Sequence, residues 1–211
     1  MTSPYDAVAG LASAAAKLGG LKRAALPPFL ALTDPLRQPD PVALANALPP
    51  GSGLIYRHFG AANRARLAEL AARTARRRGV VFLVSHDEGL ARRCGADGIH
   101  WPERDLPLAA RARAHGDIRL FTASAHSPMA LKRAARAGID AALVSTVFPS
   151  ASPSAGRPMG ALALAAWARQ TELAVHALGG INARTIGRLE GLGISGVAVV
   201  GAIRNAAPTQ T

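Results

Sequence analysis

Residues 80–101 read VVFLVSHDEGLARRCGADGIHW. An apolar, β-branched run, Val80–Ser85, gives way to a short helical stretch, Asp87–Cys94. Gly95 follows, and a second apolar run, Gly98–Trp101, comes after a few residues. A strand, a helix and a strand in so little chain form a right-handed crossover between parallel neighbours. Neither strand alternates apolar with polar residues, as expected of a sheet covered on both faces.

On either side of this stretch the same unit recurs. Upstream lie strand Phe29–Thr33 with a helix near Pro41–Leu48, then strand Gly53–His58 with a long helix Ala62–Arg78, which Gly79 ends at the position where glycine closes helices. Downstream comes helix Leu106–His115, then strand Arg119–Ala125. Ser127–Pro128 opens the next helix as an N-cap followed by proline at the first helical position, and Gly138 closes it. Strand Ala142–Phe148, a Pro/Ser/Gly-rich loop 149–160 and helix Ala161–Gln170 follow. Strand Ala174–Leu178, helix Ala183–Leu189 and strand Gly196–Val200 complete the series.

Eight alternations predict a single (β/α)8 TIM barrel. Such a barrel needs at least ~200 residues, so it takes up nearly all of this 211-residue chain. An open doubly wound sheet is the rival, but no GxGxxG follows the first strand. The ends are irregular. Only 202–211 remain after the last strand, so the last helix is truncated, and residues 4–18 form an extra N-terminal helix with Tyr5, Val8, Leu11 and Ala15 on one face. Residues 1–28 read as this helix and its linker and 29–211 as the barrel, one domain overall, with the helix expected either in the missing eighth place or across the barrel bottom.

Composition narrows the function. The net charge is +12, carried mostly by arginines spread over helical segments. This suits a solvated face or an affinity for small anions. Nucleic acid is not expected as a partner, because aromatics for stacking make up only 4%. No apolar run reaches ~18 residues, the N-terminus lacks a basic signal-peptide region, and Cys94 is the single cysteine, so the expected location is the cytoplasm with no membrane span.

In a barrel the chemistry sits at the C-terminal ends of the strands. The sequence delivers there Arg57 and His58, Ser85 and His86, Trp101 with Glu103 and Asp105, and Ser124 with His126. It also delivers Phe148 to Ser152 and the glycines Gly179, Gly180 and Gly201. The Gly179–Gly180 turn, together with Gly201–Ala202, stands where such barrels bind phosphate through backbone amides and a helix N-terminus. Arg57 is the best anion partner outside the glycines, and His126 is a candidate general acid–base. His58, His86 and Asp105 are weighed together as a site for a softer divalent metal.

Several of these stretches, in order, resemble the thiamine phosphate synthase and thiazole tautomerase superfamily. They are Ala96-Asp97-Gly98-Ile99-His100, Ser124-Ala125-His126, Val147-Phe148-Pro149-Ser150, Ala177-Leu178-Gly179-Gly180-Ile181 and Gly196-Val197-Ala198-Val199-Val200. The resemblance implies a phosphorylated heterocycle, a thiazole phosphate or thiamine phosphate, as the ligand. It implies Ser124, Ser150, Ser152, Arg157, Gly179, Gly180, Gly201 and Ala202 as its binding residues and His126 and Arg57 as catalytic residues. A second subunit, in a homodimer, is the alternative cover for the strand-eight edge. It also implies Mg²⁺, with Asp105 matching one metal aspartate. Against that, His86 stands where the synthases place the other aspartate, and Phe59 and Pro153 stand where they place lysines. Mg²⁺-dependent condensation is therefore expected to be weak or absent; thiazole tautomerisation and a degenerate synthase are the two enzymatic options, and non-catalytic ligand binding is the third.

Overall fold

In the computed structural model, residues 4–20, 26–152 and 155–201 are described, and their strands close into a parallel barrel in sequence order. The strands are β1 (Phe29–Leu32), β2 (Gly53–Tyr56), β3 (Val81–Ser85), β4 (Gly98–Trp101), β5 (Leu120–Ala125), β6 (Ala141–Val144), β7 (Ala174–Leu178) and β8 (Gly196–Val200). The barrel closes where Leu30 stands beside Ala198. The helices are α1 (Pro4–Ala16), α2 (Pro41–Ala47), α3 (Arg64–Arg77), α4 (Glu88–Cys94), α5 (Leu106–His115), α6 (Pro128–Arg136) and α7 (Ala161–Arg169).

Local chemistry sets these boundaries. The Asp40 carboxylate accepts from the Val42 and Ala43 amides to start α2, Asp87 caps α4 through Leu90 N–H, and Ser127 caps α6 through Ala130 N–H. Gly95 and Gly116 close α4 and α5 in the left-handed conformation.

Successive strand side chains point to opposite faces, so the core divides in two. The outward side chains, such as Phe29, Tyr56, Phe82, Ile99, Phe121, Val144 and Val197, pack beneath the helices. Leu30, Leu32, Ile55, Leu83, Leu143 and Ala198 fill the barrel interior. The interior parity then carries Ser85, His100, Ser124, Ser145 and His176 inward, and all but His176 lie toward the C-terminal end.

Several ends shift by one or two residues, as β2 ending at Tyr56 rather than His58, and two expected elements differ by more. β6 ends at Val144 rather than Phe148. Val147 and Phe148 are buried, but their amides donate to Leu178 O and Gly179 O (3.0 Å each), so this apolar run is a loop laid over the end of β7. The helix expected over Ala183–Leu189 shrinks to one 3-10 turn, Ile186–Leu189. Asn182 Oδ1 takes the Arg184 amide (2.9 Å) and Thr185 Oγ1 donates to Gly180 O (2.8 Å), a local side-chain network that competes with helical bonding.

With that helix reduced, α1 takes over the cover. It packs against β1, β8 and the 3-10 turn, with Val8, Leu11 and Ala15 buried. The side chain of Tyr5 lies outside the described residues, as does Ala202. Among the described residues no helix is long and apolar enough to cross a membrane.

Candidate functional site

A cavity of about 300 Å³ opens at the C-terminal ends of β6, β7 and β8. Gly179, Gly180 and Asn182 line one wall, Ser150 and Ser152 another, and Arg37 and Arg57 reach in from the side of β1 and β2. Five expected binding or catalytic residues thus meet around one space: Arg57, Ser150, Ser152, Gly179 and Gly180. Arg37 was not anticipated. It is one arginine among many in the sequence, and only the return of its loop over β8 distinguishes it: a Cβ on Gly201 would lie 3.6 Å from Arg37 Cβ.

The electrostatics of this wall are uneven. Arg37 donates from Nε (3.2 Å) and Nη2 (2.7 Å) to Asp34 Oδ2, while Asp34 Oδ1 takes the Leu36 and Arg37 amides. Burial alone would raise the Asp34 carboxyl, but the bonds from Arg37 and Leu36 outweigh it and hold it at about 2. Arg57 has no carboxylate within ion-pair distance among the described residues. Burial pushes its guanidinium below its usual pKa, and the nearby Asp34 only partly opposes this. A half-buried cation with no ion pair among the described residues, facing a cavity edged by backbone amides and hydroxyls, is equipped to receive an anion.

The glycine turn is shaped by the protein itself. Gly179 and Gly180 have φ of +95° and +67°. A Cβ on Gly180 would come within 2.5 Å of Pro149 O and 2.7 Å of Phe148 O, and one on Gly179 within 2.8 Å of Thr146 Cγ2. Glycine is required here because the loop after β6 lies directly on the turn, not only to clear space for a ligand.

The remaining expected residues are placed elsewhere. His126 and Arg57 do not line the same cavity. His126 is exposed in a wider groove between α5 and α6, which it shares with Ser124, Glu103, Arg104 and Arg133. Its amide donates to Glu103 Oε2 (3.0 Å), and Glu103 Oε1 pairs with Arg133 Nη2 (2.5 Å). Ser124 Oγ stands 3.1 Å from Nε2 of His100, whose Nδ1 meets Thr122 Oγ1 at 2.9 Å. Burial, with a smaller contribution from Arg57, pushes the His100 imidazole down to about 3, so it is neutral and holds the Ser124 hydroxyl. Arg157 is exposed and does not line the cavity; Gly201 stands beside its β8 edge.

His58, expected at the working face, is buried under the β1–α2 loop. Its Nε2 donates to Pro39 O (3.1 Å) and its Nδ1 meets Thr33 Oγ1 (3.0 Å). It does not join His86 and Asp105, and the described residues hold no group of three metal-ligating side chains, so the softer-metal alternative falls.

The Mg²⁺ positions can be judged on their donors. His86 Nε2 lies 3.1 Å from Asp105 Oδ2, and Arg104 Nε lies 3.3 Å from the same oxygen. That oxygen is buried and at hydrogen-bonding angles to neither neighbour. His86, the one non-glycine residue at positive φ among those described, packs edge-on against Trp101. Mg²⁺ demands hard oxygen ligands. A single carboxylate faced by an imidazole and a guanidinium does not fit it.

Comparison with known proteins gives this geometry its relatives. A family model described as thiamine monophosphate synthase matches residues 37–203. A thiamine-phosphate synthase of Chlorobium luteolum is 32% identical over 67% of this chain and 67% of its own length, and one of Herpetosiphon aurantiacus is 31% identical over 81% and 85%. The fold of a thiamine phosphate pyrophosphorylase from Pyrococcus furiosus superposes with a TM-score of 0.71 at 23% identity, covering 85% of this chain and 88% of that one. With a model match across most of its length and relatives above 30% identity, the chain belongs to the thiamine monophosphate synthase family.

Proposed function

We propose that the barrel binds a phosphate ester of a small heterocycle, a thiazole phosphate or thiamine phosphate, in the β6–β8 cavity, and that its chemistry is proton transfer on that ligand rather than Mg²⁺-dependent condensation. The phosphate would take the Gly179 and Gly180 amides and the hydroxyls of Ser150 and Ser152, with Arg57 supplying the charge. The observation that supports the choice of reaction is the His86 imidazole 3.1 Å from Asp105 Oδ2, at the two positions where the sequence resemblance implies the metal aspartates of a synthase.

Condensation is the second reading, and the names of the relatives favour it, since those matched are thiamine-phosphate synthases. The test is an assay of both reactions with Mg²⁺ and with EDTA. The reading predicts aromatisation of a thiazole phosphate tautomer at a rate indifferent to EDTA, and no condensation of a pyrimidine pyrophosphate with thiazole phosphate. Robust turnover in the condensation that EDTA abolishes would replace it with the synthase.

A further inference from the structure

The cavity and the neighbouring groove meet at one side chain. Ser145 lines the β6–β8 cavity, and His126 lines the α5–α6 groove. His126 Nδ1 stands 3.3 Å from Ser145 Oγ and 3.3 Å from Ser145 O. These two oxygens serve both states of the ring nitrogen. Without a proton, Nδ1 accepts from the hydroxyl; with one, it donates to the carbonyl. The main chain of His126 is held by Glu103, which Arg133 anchors in turn. Ser145 follows Leu143 in the interior parity of β6, so its hydroxyl belongs to the barrel mouth, while the ring it meets is open to the groove.

We infer that Ser145 relays protons between His126 and the ligand in the β6–β8 cavity, so that the general acid–base works from outside the chamber that holds the phosphate. This rests on the reading that a phosphate ester occupies that cavity. In the step, a C–H proton of the heterocycle moves to Ser145 Oγ as the Oγ proton moves to His126 Nδ1. The electron pair of the broken C–H bond enters the conjugated ring system, and His126 becomes imidazolium. The return transfer, through the same hydroxyl, forms a C–H bond at the other end of that system and restores neutral imidazole. One C–H bond breaks and one forms, and nothing is oxidised or reduced.

The test is NMR titration with inorganic phosphate, following the Gly179 and Gly180 amides as reporters of occupancy and the His126 ring as the reporter of coupling. In the wild type, phosphate should move both. In Ser145→Ala the glycine amides should still respond and the His126 ring should not, and Ser145→Thr should restore the response. A ring that ignores an occupied cavity in the wild type, or responds equally in Ser145→Ala, overturns the relay. If the glycine amides never respond, the cavity reading itself fails and the relay falls with it. In the tautomerisation assay, Ser145→Ala should lower kcat by at least ~100-fold, the scale of general acid–base help. The double variant with His126→Asn should be no slower than His126→Asn alone, because both remove one pathway; additive losses would overturn the relay.

Discussion

Arg57 separates what the fold needs from what a ligand needs. Its guanidinium is half-buried, has no ionic partner among the described residues and faces the cavity. Burying a charge unpaired is unfavourable, so Arg57→Met should leave the barrel as stable as before or more so. The same change should weaken inorganic phosphate binding by ~1.5–3 kcal/mol, the scale of a charge-assisted hydrogen bond. Chemical denaturation and calorimetry on the variant read the two signs; a loss of stability with unchanged affinity would make Arg57 a structural residue. Gly180 should behave in the opposite way. An alanine there carries the left-handed strain of about 1–2 kcal/mol and pushes its methyl against Pro149 O and Phe148 O. Gly180→Ala should therefore lower stability and phosphate affinity together, and a variant as stable as wild type would show that the loop after β6 is not held against the turn.

Element by element, the strands were the legible part. β4, β7 and β8 begin and end as the sequence predicts, because apolar runs bounded by glycine and polar residues leave little choice. The apolar Val147 and Phe148 extend the expected β6 beyond its real end, because they are buried by the loop folding onto β7 and not by strand pairing. The expected helix after β7 is longer than the real one because local side-chain bonds around Asn182 and Thr185 do not show in helical periodicity. At the candidate site, the meeting of the Gly179–Gly180 turn, Arg57, Ser150 and Ser152 around one cavity is legible from strand order and motif. Ser145 was hidden by the overextended β6, and Arg37 by the excess of arginine. The placement of α1 yields its own prediction. It packs Val8, Leu11 and Ala15 against β1, β8 and the 3-10 turn Ile186–Leu189. Removing residues 1–20 should expose that apolar area at ~25 cal/mol per Å² and lower the melting temperature or drive aggregation. A monomeric truncated barrel with an unchanged melting temperature would show that α1 is dispensable.

Across the whole molecule, two imidazoles are locked neutral inside the barrel. Burial holds His100 at about 3 and His176 at about 4; the latter is relieved only partly by its bond to Pro27 O. Gly196 makes the room for His176, since a Cβ there would come within 2.5 Å of the ring. Both folded values lie below the ordinary 6.5 of the unfolded chain. Their contribution to stability is therefore complete above pH 6.5 and is lost as the pH falls toward 4, where the unfolded chain takes up protons that the folded one refuses. With two protons at stake, stability should fall by about 3 kcal/mol per pH unit near pH 5, and His100→Asn should roughly halve that slope. Flat stability between pH 7 and pH 5 would mean that the imidazoles are not sealed. Whether the phosphate-ester site works without a metal is decided by calorimetric titration of thiazole phosphate into the protein in EDTA and again in Mg²⁺. A metal-free site gives the same Kd in both, abolished or strongly weakened by Arg57→Met; binding that appears only with Mg²⁺ would overturn it.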